Sequence, residues 1–324
     1  MGRLRLALMR RVGQSSWVSK HMLKTFLERY QSFLPMAALV TATFLWGSSF
    51  ISTATALKYT DPFMLVMCRF LIGAAIVGVA LRGRVNAIPR HTWKAGIITG
   101  ILLYAGYITN ALGLMTINSS TSGFLTALYV PFTPLMIWVV FGKKPNVNAV
   151  IGVVIAFVGL MLLANPFTLS FSNNFGEWVT ILCAFISATE IIMVGLVATK
   201  NEALPLTFAQ LITVATLCAI TRLFGPLFPA WSFEPTEWTT TLISAIVWLG
   251  FIVGFAQMLL TWGQKTVSAG RAAVIFAMES VFAAMIGWMI GERLGWTGWL
   301  GGALIVVAIL INETRLLCSQ KRKK

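Results

Sequence analysis

Apolar residues along this chain fall in ten long runs, at roughly 33–57, 62–81, 95–115, 119–141, 147–165, 177–199, 204–223, 239–262, 269–290 and 295–312. A bilayer hydrocarbon core of about 30 Å is crossed by about 20 apolar residues in a helix. Each run therefore predicts a membrane-spanning helix. The polar breaks between them are short and hold turn residues: Lys143-Lys144-Pro145-Asn146, Asn165-Pro166 and Gly225-Pro226. None could house a catalytic domain. The break from Pro226 to Trp238 is rich in proline and tryptophan and reads as an interfacial loop.

Composition agrees with the pattern. Of 324 residues, 57% are hydrophobic and 11% charged, against about 25% charged in a soluble domain. An ordinary cytosolic enzyme, a disordered chain and a coiled coil are excluded. Cys68, Cys183, Cys218 and Cys318 have no metal-ligand spacing and read as buried small hydrophobes or a tail thiol. Residues 1–32 differ from the rest: seven cations are interleaved with Leu, Met, Trp17 and Phe26. A basic amphipathic helix on an anionic leaflet, a disordered tail, a misassigned start and a transit peptide are all compatible with that arm. A cleaved secretory signal is not, because no compact apolar segment and cleavage site follow the basic start.

The net charge of +15 would ordinarily point to nucleic acid. Its placement says otherwise. With the N-terminus in the cytoplasm and the spans alternating, 21 of the 25 Lys and Arg residues fall inside. Outside fall only Lys58, Arg222 and Arg293, while Arg69 lies within span 2. That asymmetry is a positive-inside signature. It predicts an even number of spans with both termini cytoplasmic, and the cations then report orientation rather than a nucleic-acid partner.

The chain also repeats itself. A shift of 149 aligns Gly142 with Gly291, Gly152 with Gly301, Gly159 with Ala308 and Ser119 with Ser268. A shift of 141 pairs residues 44–51 with 185–192. The expected organisation is an all-α membrane protein: a basic arm (1–32), a first five-span repeat (33–165), a second (177–312) and a basic tail (313–324). Five is odd, so the second repeat should be inverted. Lys143-Lys144 after span 4 has Glu292-Arg293 as its counterpart after span 9, in keeping with opposite sides. Inverted repeats are a mark of secondary transporters.

Several segments resemble the drug/metabolite transporter superfamily, in particular its ten-span EamA-type permeases. They are Leu45-Trp46-Gly47-Ser48-Ser49-Phe50, Arg69 after Pro62, Asn110-Ala111-Leu112-Gly113-Leu114, Ser122-Gly123-Phe124-Leu125 through Pro131 and Pro134, and Gly291-Glu292-Arg293-Leu294 followed by Gly298 to Gly302. Each is weak alone; their order over about residues 35–312 is specific. The resemblance implies export of small metabolites, often amino acids or related compounds, coupled to a gradient or by exchange. One departure is Ser280, where the family commonly has proline, which predicts a straighter, more polar span 9.

Charges at mid-membrane depth are costly, so those present mark candidate sites. Three qualify: Arg69, Glu190 and Glu279. Their repeat counterparts are uncharged (Ser49 for Glu190, Val130 for Glu279). Two readings are open. One is an ion pair that holds the bundle together. The other is a polar cavity in which Arg69 meets a substrate carboxylate while a glutamate meets an ammonium group or carries a proton. Trp46, Ser48, Ser49, Tyr104, Tyr107, Asn110, Tyr129 and Gln257 form a second tier, with Thr126, Gln210 and Trp248. For each, helix–helix hydrogen bonding or an interfacial position is the alternative. Pro131 and Pro134 should bend span 4 and could form a hinge.

The two histidines, His21 and His91, fall in predicted cytoplasmic segments, and there is no Walker sequence, metal motif or cofactor motif. The expectation is a non-enzymatic exporter of a small zwitterionic or anionic metabolite in the bacterial inner membrane. It would act by alternating access, with its substrate, the lipid bilayer and protons as partners. A non-transporting structural or signalling protein is the first alternative, and a lipid-modifying membrane enzyme the second.

Overall fold

The structure is a computed structural model that describes residues 17–114, 116–117, 119–164, 174–225, 233, 235–289, 291 and 295–321. The arm up to residue 16, most of the Pro226–Trp238 loop, Glu292-Arg293-Leu294 and the last three residues lie outside them. The described residues form α-helices and one short 3-10 turn, with no strand among them. In chain order the helices are α1 (Trp17–Ala56), α2 (Pro62–Ala80), α3 (Arg90–Leu114), α4 (Ser119–Thr126), α5 (Tyr129–Phe141) and α6 (Val147–Leu163). They continue as α7 (Phe175–Ala198), α8 (Ala203–Phe224), α9 (Thr240–Gly263), α10 (Ala269–Phe276), α11 (Met278–Met289) and α12 (Trp296–Lys321).

Helix ends follow local chemistry. Asp61 caps α2, its Oδ1 accepting from the Phe63 and Met64 amides at 2.9 and 3.0 Å, with Pro62 in the first turn. Asn146 caps α6 through the Ala149 amide, and Thr239 caps α9 through the Leu242 amide. Gly142 ends α5 at φ 65°, a left-handed conformation that glycine adopts without strain.

Among the described residues, eight segments are long and apolar enough to cross a membrane, taking α4–α5 and α10–α11 each as one. Two further helices, Val147–Leu163 and Trp296–Asn312, are apolar but shorter. Large apolar side chains such as Val79, Val139, Leu223 and Met289 face outward, as lipid-facing residues do. This is a multi-pass membrane protein.

Spans 4 and 9 are both interrupted. The first breaks at Ala127-Leu128, and the second at Ala277. Under the 149-residue shift Leu128 corresponds to Ala277. In span 4 the cause is local. Pro131 has no N–H for the Ala127 carbonyl, which instead accepts from the Val130 amide at 3.0 Å. Span 9 is interrupted without a proline, at the single residue Ala277, which keeps right-handed helical dihedrals (φ −56°, ψ −22°). Here tertiary packing accompanies the break: α11 lies so close to α1 that a Cβ on Gly47 would sit 2.7 Å from the Glu279 carbonyl oxygen.

Contacts between helices exchange in pairs when each is replaced by its repeat counterpart. The α1–α9 contact corresponds to α3–α7, α3–α8 to α2–α9, and α1–α11 to α5–α7. The α6–α12 and α2–α8 contacts join helices that correspond to each other. Glycines make the α6–α12 contact. A Cβ on Gly159 would lie 2.7 Å from the Gly301 carbonyl, and one on Gly152 would lie 3.2 Å from the Ala308 carbonyl. Later residues of one helix meet earlier residues of the other, so the two run antiparallel. The same holds for α2 and α8, where Gly78 lies under Phe208 and Asp61 pairs with Arg222.

Candidate substrate site

The site is built around Tyr107 on α3. Arg69 on α2 is 4% exposed, and its guanidinium carbon lies 4.5 Å from the centroid of the Tyr107 ring and 5.6 Å from that of Phe70. Such stacking suits a weakly hydrated, delocalised cation. Phe70 meets Tyr107 edge-on at 5.1 Å, and Trp46 on α1 lies against the same ring at 6.0 Å. Helices α2 and α9 approach closely beside Arg69, where a Cβ on Gly73 would lie 3.1 Å from the Gly254 nitrogen and one on Gly250 3.2 Å from the Arg69 carbonyl oxygen.

Glu190 is buried on α7, and the Glu279 backbone on α11 lies against Gly47, next to Trp46. Yet neither glutamate is ion-paired with Arg69 among the described residues. Arg69 Nε, Glu190 Oε1 and Gln257 Nε2 are buried with no hydrogen-bond partner among them. Gln257 is buried on α9. Glu279 enters from the first turn of α11, directly after the break in span 9. Buried polar groups left without partners are rare in native proteins and ask for an explanation.

The second tier divides by what each side chain touches. Tyr104 shares a hydrogen bond with the Thr221 hydroxyl of α8, and Asn110 Nδ2 donates to Thr126 Oγ1 at 3.1 Å. Both therefore join helices. Ser48 and Ser49 donate to the Leu45 and Trp46 carbonyls of their own helix, each at 2.7 Å. Tyr129 packs where two of the hydrophobic clusters meet. Gln210 accepts from Thr261 at 3.3 Å, and its Nε2 is also without a partner among the described residues. Trp248 lies elsewhere: it is 46% exposed and stacks on Phe251 of its own helix, on the outer surface.

Sequence reasoning missed two features. Gln264 is buried, donates to the Ile191 carbonyl at 3.0 Å and leaves Oε1 without a partner among the described residues. A glutamine near a span end gives little signal on its own. The other is an ion pair between Arg222 and Asp61, with Arg222 also over the Phe233 ring at 5.3 Å and Phe63 edge-on to it at 5.4 Å. Together they tie α2 to α8 one residue beyond Thr221, the partner of Tyr104. No group of three metal-ligating side chains occurs among the described residues.

Comparison with known proteins fixes the family. The profile of the EamA-like transporter family matches twice, over residues 34–165 and again over 174–314. The chain belongs to the EamA-like transporter family. It is 28% identical over 281 residues to an uncharacterized transporter of Archaeoglobus fulgidus, covering 86% of this chain and 85% of that one. It is 22% identical to an uncharacterized transporter of Bacillus subtilis (89% and 93% covered), and 23% identical to a WAT1-related chloroplastic protein of Arabidopsis thaliana (87% and 70% covered). A solved crystal structure of 20% identity superposes with a TM-score of 0.74, covering 90% of this chain and 99% of the other. That likeness establishes the fold. As an EamA-family chain, this protein is a membrane transporter by kinship, with a small molecule as its cargo.

Proposed function

We propose that this transporter exports a small zwitterionic or anionic metabolite, of amino-acid size, across the bacterial inner membrane by alternating access. Arg69 is the observation that carries the reading. A guanidinium inside the membrane with no carboxylate beside it is expensive, and its donor fork matches a carboxylate. A substrate carboxylate would supply the missing counter-charge above the Tyr107 ring. Glu190 or Glu279 would then face an ammonium group or carry a coupling proton, or the site would work by exchange. Trp46 and Tyr107 would form the apolar wall, and Tyr104, Ser48, Ser49, Asn110, Tyr129 and Gln257 would surround the path.

Ten spans in two inverted repeats, 33–165 and 177–312 with both termini cytoplasmic, are the architecture this reading uses. The double family match, the exchange of helix contacts and the antiparallel α6–α12 pair support it. At 17 residues, α6 and the apolar part of α12 each reach about 26 Å, at the short end of what crosses a bilayer. The interruptions at Leu128 and Ala277 support a pair of hinges, with Pro131 and Pro134 on one side. Broken helices at equivalent places in two repeats are the form that transporter sites take. The Arg222–Asp61 pair would be the closed outer gate.

Single replacement of Arg69, Glu190 and Glu279, with folded yield and efflux measured for each, tests the proposal. Loss of efflux at normal yield supports it; three variants that fold and transport like the parent overturn it.

A further inference from the structure

A second site lies away from Tyr107. Where α2 gives way to α3, and α7 to α8, the chain forms an open cavity of about 640 Å³. Arg82, Arg84, His91 and Lys200 line it, with Glu202 as the acid among the lining residues. None of the five is in an ion pair among the described residues. A positive-inside bias requires cations on this face but does not require them to converge on a cavity.

The walls are tied together. Thr92 Oγ1 donates to Asn201 Oδ1 at 2.7 Å, and Asn201 Nδ2 donates to the Val197 carbonyl at 2.8 Å. These bonds hold the start of α3 against the turn between α7 and α8. The first turns of α3 and α8 both contribute lining residues, and Glu202 makes no side-chain capping bond to α8. At the rim, Arg82 holds φ 49°, a conformation rarely adopted by a side-chain-bearing residue, followed by Gly83 at φ 77°. That turn brings Arg82 and Arg84 to the same opening.

We propose that this cavity binds a phosphate-bearing anion. Paired arginines with a lysine and a histidine match phosphate oxygens in charge and in donor geometry. Basic pockets between membrane helices are suited to anionic headgroups. The rim also adjoins outward-facing apolar residues: Val79 precedes the lining residue Ala80, and Leu196 lies one turn before Lys200. An acidic phospholipid could seat its phosphate among the cations and its chains along these residues. A soluble phosphate ester would use the same donors.

Native mass spectrometry of the full-length protein in detergent tests this, with phosphatidylglycerol, phosphatidylcholine and glycerol 3-phosphate as probes. The variants are R84Q/K200Q and, as a charge-retaining control, K200R. Arg84 and Lys200 are exposed, so the fold should survive, and a melting curve checks it. Should the double variant melt early, R84Q and K200Q are run singly. Preference for phosphatidylglycerol over phosphatidylcholine, weakened about tenfold or more in R84Q/K200Q and kept in K200R, supports the site with lipid as its source. Glycerol 3-phosphate binding lost in the same variant supports it with a soluble source. No anion preference, or a preference unchanged by R84Q/K200Q, overturns it.

Discussion

Arg69 separates a structural from a functional role because it is buried without a carboxylate partner. If it served only to hold helices through an ion pair, removing it would strand a buried charge and cost about 3–5 kcal/mol. No such partner is present among the described residues. Arg69→Met, of similar length and neutral, should therefore leave the melting temperature unchanged or raised, while transport falls about a hundredfold or more. A collapse in stability with residual transport would favour the structural role. The glutamates give a second test. If one carries the coupling proton, Glu→Gln there should abolish the response to a pH gradient while exchange persists. Unchanged pH-driven uptake in both E190Q and E279Q would refute proton coupling through either.

Among the elements, α6 and α12 cross at glycines that admit no side chain. Gly159→Ala or Gly301→Ala puts a methyl group against the facing backbone, which should cost about 1–3 kcal/mol and lower the melting temperature. Substitution at Gly123, where a Cβ meets nothing within 4 Å, is the control and should be silent. Part of this level was legible in the sequence: Gly152 and Gly301, matched by a 149-residue shift, each press against the facing helix, whereas Gly142 and Gly291, matched by the same shift, meet nothing within 4 Å. The break in span 9 was not. Proline announces the bend at Pro131, because a missing N–H is a local property. At Ala277 the interruption accompanies α11 pressing on Gly47 of α1, a contact no local pattern encodes. The site was legible to the same extent. Hydrophobic context singled out Arg69, Glu190 and Glu279, since charge inside an apolar run is conspicuous. That Arg69 stacks over the Tyr107 ring depends on how α2 and α3 pack. Gln264 and the Asp61–Arg222 pair likewise depend on contacts between segments far apart in the chain.

For the whole molecule, the proposed alternating access predicts that the end where Asp61 pairs with Arg222 opens. Arg222→Gln removes the ion pair but leaves the Asp61 cap of α2 in place. With Cys68, Cys183 and Cys318 replaced by serine or alanine, the buried Cys218 of α8 becomes a reporter. It should react with a membrane-impermeant maleimide about tenfold faster in Arg222→Gln, the effect of losing a charged hydrogen bond; an unchanged rate would mean that this pair is no gate. The central claim concerns what passes through. The most direct measurement compares the metabolites released by cells carrying the parent protein with those released by cells carrying Arg69→Met at equal membrane abundance. The account predicts that carboxylate-bearing small molecules accumulate outside parent cells and fall to the level of cells lacking the protein in Arg69→Met. The same compounds released at the same rate by both would contradict it.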